Sequence, residues 1–406
     1  MAVRAVRERG YPALDSLRAI AALSVFFFHA VGFYARGSTQ GNVIAPYVAR
    51  LDVGVTIFFL LSGFLLYRPF VQARRQRRPQ PPLIPYAWRR TLRIVPAYWV
   101  ALTLATIVLA LPGVFTLTGI PTFYGFLQIY SADTAFKGLG QCWTLCVEVS
   151  FYALLPVWAW FVRRIAPGNS LRSELWLLGG LFPAGVLYKL VVLGGLAPST
   201  LSIFQPLLLA LPGFVDHFAL GMGLAVLVVG WEEREALPAA VTRAPLLWWA
   251  GAAVVFLGVS ALSGLDATPA EQSHGEYAIR HAANGVVALL LLVPAVAGGG
   301  VPGRVLGWSP LRWLGTISYG IFLFHLPFLQ WLSDEGLSRW ESWLHPYLLW
   351  SIVGLAGSIA LATASWYAVE RPALRLKPLA GPWRPSGARP ARSWRAGARP
   401  KRAPEG

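Results

Sequence analysis

Three ionisable residues interrupt an apolar stretch near the start of the sequence. Leu14 to Ala30 reads LDSLRAIAALSVFFFHA and carries Asp15, Arg18 and His29. A charge or an imidazole set in hydrocarbon is costly and by default marks a functional site or a polar path. Arg18 and His29 are eleven positions apart, which at about 100° per residue is roughly 20° past three turns, so they share one helix face. The same spacing separates them by roughly 16 Å along the axis, about half the thickness of a hydrocarbon core. A cation near one interface and an imidazole well inside the membrane would suit an anion and proton chemistry. Asp15, three residues before Arg18, can pair with it. The competing reading is structural: Asp15 and Arg18 anchor a helix end while His29 is satisfied inside a bundle.

Other residues pose the same choice. Arg90 and Arg93, in WRRTLRIVPAYW, lie three apart on one helical face, and their guanidinium forks suit phosphate. Loop anchoring accounts equally for Arg89 and Arg90, but Arg93 stands among apolar neighbours. Glu148, in QCWTLCVEVSFYALLP, sits in an apolar run and must be protonated, paired or wet; it could pair with a cation or hold an imidazole in one tautomer. Trp143 and Tyr152 flank it, either lining a polar path or forming part of an aromatic belt. Ser62, in an SGF step, can hydrogen-bond across helices, and the glycine beside it favours packing. His325, in ISYGIFLFHLP, reads as a second site residue or a satisfied bundle histidine. Asp216 and His217 are adjacent, do not share a helix face, and need not act together. Cys142 and Cys146 read as small packing residues, and no metal site is expected. No phosphate-binding glycine loop, GxSxG elbow or HExxH is present.

The elements that would carry these residues are membrane helices. The 406 residues are 56% hydrophobic and only 13% charged, with 18 Trp, a profile foreign to soluble domains. Apolar stretches begin at about 14, 52, 93, 144, 174, 207, 245, 280, 311 and 347, predicting an all-α, polytopic bundle of about ten transmembrane helices. The Gly- and Pro-containing piece from Thr116 to Tyr130 reads as interfacial or re-entrant. The basic start followed by an apolar run resembles a signal peptide, but no small-residue cleavage site follows. With the amino terminus in the cytoplasm, only Arg36, Arg50, Lys137, Arg280 and Arg339 fall in outer segments. Arg18, Arg68, Arg93 and Lys189 lie in or at the ends of spans, and every other Lys or Arg is cytoplasmic. Both termini are therefore expected inside, and the net charge of +17 needs no nucleic acid to explain it. Residues 1–375 form the expected membrane domain. Residues 376–406 form a basic Pro- and Arg-rich tail with little to bury, expected to be disordered and to meet lipid headgroups.

Five of these motifs, in order, resemble the acyltransferase 3 family of integral membrane O-acyltransferases. LDSLRAIAALSVFFFH resembles its first-helix pattern of Arg, ten residues and His, and GVTIFFLLSGFLL its second-helix signature. Arg90-x-x-Arg93 resembles its Arg-x-x-Arg pair, WTLCVEVSFYALLP its Trp-to-Tyr segment, and ISYGIFLFHLP its ninth-helix segment. Val149 departs from the pattern, standing where many members have a second glutamate. The chain also ends soon after the tenth span, without the extracellular hydrolase-like domain that some members append.

The resemblance implies a multi-pass plasma-membrane enzyme. It would move an acyl group, commonly acetyl, from cytoplasmic acyl-CoA to a hydroxyl of a sugar, cell-envelope glycan, glycolipid or secreted metabolite. His29 would be catalytic as general base or through an acyl-histidine, with Glu148 beside it; Arg18, Arg90 and Arg93 would bind the donor; Asp15, Ser62, Trp143, Tyr152 and His325 would support them. Acyl-CoA is a co-substrate here, and no bound cofactor is expected. The alternative is a transporter or flippase in which His29, Arg18 and Glu148 relay a proton or bind an anion. No internal repeat supports it.

Overall fold

The computed structural model describes residues 11–35, 44–166, 170–195, 206–262 and 273–381. Among the described residues there is no strand. The long helices are α1 (Pro12–His29), α2 (Val53–Arg75), α3 (Leu83–Leu109), α4 (Trp143–Ile165) and α5 (Leu171–Gly195), then α6 (Val215–Glu233), α7 (Pro245–Leu262), α8 (His274–Ala297), α9 (Ser309–Asp334) and α10 (Pro346–Ser365). Every apolar stretch expected from the sequence falls on one of them. Among the described residues, 8 helices are long and apolar enough to cross a membrane. The two outside that set are α7, which is short, and α9, whose Thr316, Ser318, His325 and Gln330 dilute its apolar content. Only 22% of the apolar window in α5 and 33% of that in α10 is buried inside the protein. Apolar surface left so bare needs lipid to cover it.

Local sequence sets the helix ends. Pro occupies the first turn of α1, α9 and α10, where its missing N–H costs nothing. Ser273 and Glu276 close a capping box at the start of α8, and Gly298, at φ 71°, ends that helix in the left-handed region. The piece from Thr116 to Tyr130 is a run of turns around the short helix Gly119–Tyr124. It is folded back on α3 by hydrogen bonds from Tyr98 Oη to Phe123 O (2.7 Å) and from Trp99 Nε1 to Tyr124 O (3.1 Å).

Small residues let the central helices touch. A Cβ on Gly221 of α6 would lie 2.1 Å from Leu60 O of α2, and one on Gly63 of α2 would lie 2.4 Å from Phe218 O of α6. The glycine of the SGF step is thus an interface glycine. A Cβ on Gly315 of α9 would lie 1.9 Å from Asp15 O of α1. Gly315→Ala is therefore expected to push α9 off α1 and destabilise the protein by about 1–3 kcal/mol, read as a lower unfolding temperature in detergent. An unchanged temperature would mean that the two helices separate freely.

The structured chain runs past the expected boundary at residue 375. After α10 come a π-helical turn, Trp366–Glu370, a helical turn, Arg371–Arg375, and a 3₁₀ turn, Lys377–Ala380. Trp88 Nε1 donates to Leu376 O at 3.0 Å, holding this segment against the start of α3. The remainder of the expected tail, 382–406, lies outside the described residues.

Candidate active site

Where α1, α3 and α9 begin and α10 ends, the bundle forms a half-open cavity of about 400 Å³. Arg18 and Asp15 line it from α1, paired at 3.2 Å as their spacing predicts. Arg89, Arg90 and Arg93 line it from α3, Ser62 from α2, Glu148 and Tyr152 from α4, Tyr319 from α9, and Lys377 from the segment after α10. Residues from opposite ends of the chain thus share one basic pocket, with an apolar wall that includes Phe58 and Phe322.

Glu148 accepts hydrogen bonds from Ser62 Oγ (2.8 Å) and Tyr152 Oη (2.9 Å), in the field of Arg18 and Arg90. It makes no hydrogen bond to a histidine among the described residues. Of the two roles open to it in sequence, facing cations is the one this placement matches. Arg93 Nη1 meets Glu370 Oε2 at 3.3 Å and lies over the Tyr319 ring, 5.7 Å from its centroid. Trp143 does not line the cavity; it packs against Phe214, with ring centroids 5.4 Å apart.

His29 is the last residue of α1, where the helix loosens into a π-helical turn, Ala30–Tyr34. Such turns are frequent at functional sites. His29 Nδ1 lies 2.9 Å from Val25 O and 3.2 Å from His325 Nε2, while His325 Nδ1 lies 2.8 Å from Phe322 O and 3.1 Å from Ile321 O. A carbonyl can only accept, so each Nδ1 carries a hydrogen and donates it. His325 Nε2 then presents a lone pair to the His29 Nδ1–H. His29 Nε2 is left with its own lone pair and no hydrogen-bond partner among the described residues, which makes it the basic atom of the pair. His325 is fully buried and His29 half-buried, with Phe33 stacked on the His29 ring at 5.5 Å. Neither histidine lines the cavity. Phe322 stands between, its ring 6.2 Å from that of Phe58 and 6.0 Å from that of His325.

A second polar cluster lies apart from this pocket, between α5, α6 and α8. Asp216 Oδ2 accepts from Lys189 Nζ at 2.6 Å and meets His281 Nε2 at 2.9 Å; His217 Nε2 donates to His281 O at 3.0 Å, and the two imidazoles stack 3.9 Å apart. Asp216 and His217, adjacent but on different faces, are joined through His281. One ligand atom from each of Asp216, His217 and His281 lies within 4.8 Å of the others, as a metal ion would require. The Lys189 ammonium already supplies the positive charge there. Cys142 and Cys146 are free and buried, as packing residues should be.

Sequence reasoning missed Lys377, Tyr319 and Glu370. Lys377 was assigned to the tail, and nothing local distinguishes Tyr319 from other interfacial tyrosines. Glu370, in AVERP near a span end, was a signal of the same kind as Glu148.

Known proteins bear on this geometry. The chain is 26% identical to Nodulation protein 10 of Rhizobium leguminosarum bv. viciae over 89% of its own length and 93% of that protein's. It is 24% identical over 89% of its length to the peptidoglycan O-acetyltransferase OatA of Listeria monocytogenes, of which it spans 55%. It is 27% identical over 43% of its length to the acyltransferase MdmB of Streptomyces mycarofaciens, of which it spans 44%. No solved structure matches. The family model described as an acyltransferase domain matches residues 11–367, taking in every helix from α1 to α10, and the chain therefore belongs to the acyltransferase 3 family of membrane acyltransferases.

Proposed function

We propose that this protein is an O-acetyltransferase that takes acetyl from cytoplasmic acetyl-CoA and delivers it to a hydroxyl of a cell-envelope glycan, glycolipid or secreted metabolite. The observation that carries the proposal is the course of α1. Its first turns place Arg18 in a basic cavity, and its last residue is a histidine with an unencumbered Nε2. The arginines suit the donor's phosphates, and an extended pantetheine arm suits the remaining distance along the helix, passing Phe322. The names of OatA and MdmB, an O-acetyltransferase and an acyltransferase, agree with this chemistry. In this reading all ten long helices span the plasma membrane, with the cavity end and both termini in the cytoplasm.

The acceptor hydroxyl attacks the thioester carbonyl while His29 Nε2 takes its proton. The tetrahedral intermediate collapses, the C–S bond breaks, and the imidazolium returns the proton to the departing thiolate. The Val25 carbonyl and the His325 lone pair, both at His29 Nδ1–H, stabilise the imidazolium between these steps. Glu148, held by Ser62 and Tyr152, balances Arg18 and Arg90 so that the pocket is basic without excess repulsion.

The test is acetyl transfer by purified protein in proteoliposomes supplied with acetyl-labelled acetyl-CoA and envelope glycan fragments. Label is expected on an acceptor hydroxyl. Arg93→Gln is expected to raise the KM for acetyl-CoA about tenfold, the weight of one charge-assisted contact, with a smaller change in kcat. Transfer from a donor without phosphates at equal efficiency would sink the donor assignment.

A further inference from the structure

The basic residues at the cavity end are not all balanced in the same way. On α2, Arg68 pairs with Glu232 at 2.6 Å, Arg75 with Glu233 at 2.7 Å, and Arg74 with the buried Glu174. On α3, Arg93 is held by Glu370, itself only 2% exposed. Arg90 and Lys377 differ from these. Neither makes an ion pair with a carboxylate among the described residues, and Lys377 makes no hydrogen bond there. Lys377 faces Arg89, Arg90 and Arg93, each a like charge.

The turn that presents Lys377 is secured at two points, by Trp88 Nε1 on Leu376 O and by Glu370 on Arg93. Leu374 and Trp366 of the same segment also line the cavity. Like charges brought together on a fixed wall repel, and the repulsion is relieved by an anion bound between them. Phosphate offers several acceptor oxygens at once, enough for a guanidinium on one wall and an ammonium on the other.

We propose that the segment following the tenth helix completes the donor site, and that Lys377 binds a phosphate of the donor's nucleotide portion opposite Arg90. This rests on the acyl-CoA reading above and extends it to residues beyond 11–367, the range the family model covers. Arg93 shares its charge with Glu370, whereas Lys377 has no carboxylate partner among the described residues and its charge is left wholly to the ligand. A phosphate at this mouth could belong to a nucleotide in solution or to a lipid headgroup, and the two sources separate by experiment.

The experiment measures CoA and pantetheine binding to the full chain in neutral detergent and in nanodiscs with and without anionic lipid. Wild type, Lys377→Gln and Lys377→Arg are compared, with helical content checked by circular dichroism. Lys377→Gln is expected to weaken CoA binding about tenfold in all three media, Lys377→Arg to restore most of it, and pantetheine to bind the three proteins alike. Equal CoA binding by wild type and Lys377→Gln overturns the assignment of Lys377 and leaves the donor reading standing. Failure of the wild type to bind CoA overturns both. An effect seen only with anionic lipid assigns Lys377 to headgroups and overturns the proposal, as does a loss of pantetheine binding equal to the loss for CoA.

Discussion

Replacing His29 by alanine is expected to lower acetyl turnover about 10²–10⁴-fold, the usual contribution of a positioned general base, while the KM for acetyl-CoA changes little. The separation of the two parameters follows from the layout. On the proposed mechanism the arginines of the cavity would contact the donor's phosphates at one end, and the imidazole would meet only the reacting atoms. Removing it subtracts an interaction made in the transition state. His325→Ala is expected to fall between this variant and wild type, because it leaves His29 Nδ1 bonded to Val25 O at 2.9 Å but deletes the lone pair that faces the imidazolium. The measurement is transfer by membranes carrying each variant, with insertion confirmed by a tag on each side. Undiminished product from the His29 variant would exclude any essential role for that residue.

Lys189→Met is expected to destabilise the fold by about 3–5 kcal/mol, the cost of leaving a buried charge uncompensated, with an effect on transfer only through the amount of folded protein. Lys189 and Asp216 are both buried, and their charges meet at 2.6 Å with His281 beside them. Without the ammonium, Asp216 keeps the His281 contact and the His217 backbone N–H at 3.0 Å, but no full positive charge. The double variant Lys189→Met, Asp216→Asn removes both charges and is expected to regain much of the loss, since a matched apolar replacement of an ion pair is often nearly neutral. Thermal unfolding in detergent reads both. A single variant as stable as wild type would show that the pair contributes nothing.

The positions of the long helices were legible before any coordinate was known, because hydrocarbon thickness demands about twenty apolar residues and leaves few ways to hide the backbone. The Asp15–Arg18 pair was legible too, since i to i+3 spacing on a helix is fixed geometry. The order of five motifs was enough to suggest the family that the match over residues 11–367 then showed. Sequence offered Glu148 as a partner for either a cation or an imidazole, and in the structure it lies in the cavity with Ser62 and Tyr152, in the field of Arg18 and Arg90. Trp143, a candidate for a substrate path, is packed on Phe214. Both placements depend on which face of α4 packs against which neighbour, and spacing along one helix does not specify that.

What the sequence determined by itself is whatever depends on distance along one helix: which stretches form long apolar helices, which residues share a face of α1, and where the charges lie relative to the apolar runs. Tertiary structure alone decided the meetings between helices. It brought His325 to His29 across α9 and α1, Lys377 to Arg90 across the length of the chain, and His281 to Asp216 across α8 and α6. Those pairs depend on which faces pack and how closely glycines such as Gly63, Gly221 and Gly315 allow two backbones to approach. The choice among packings of apolar helices is made by the fit of many small contacts at once, and no local spacing rule encodes it.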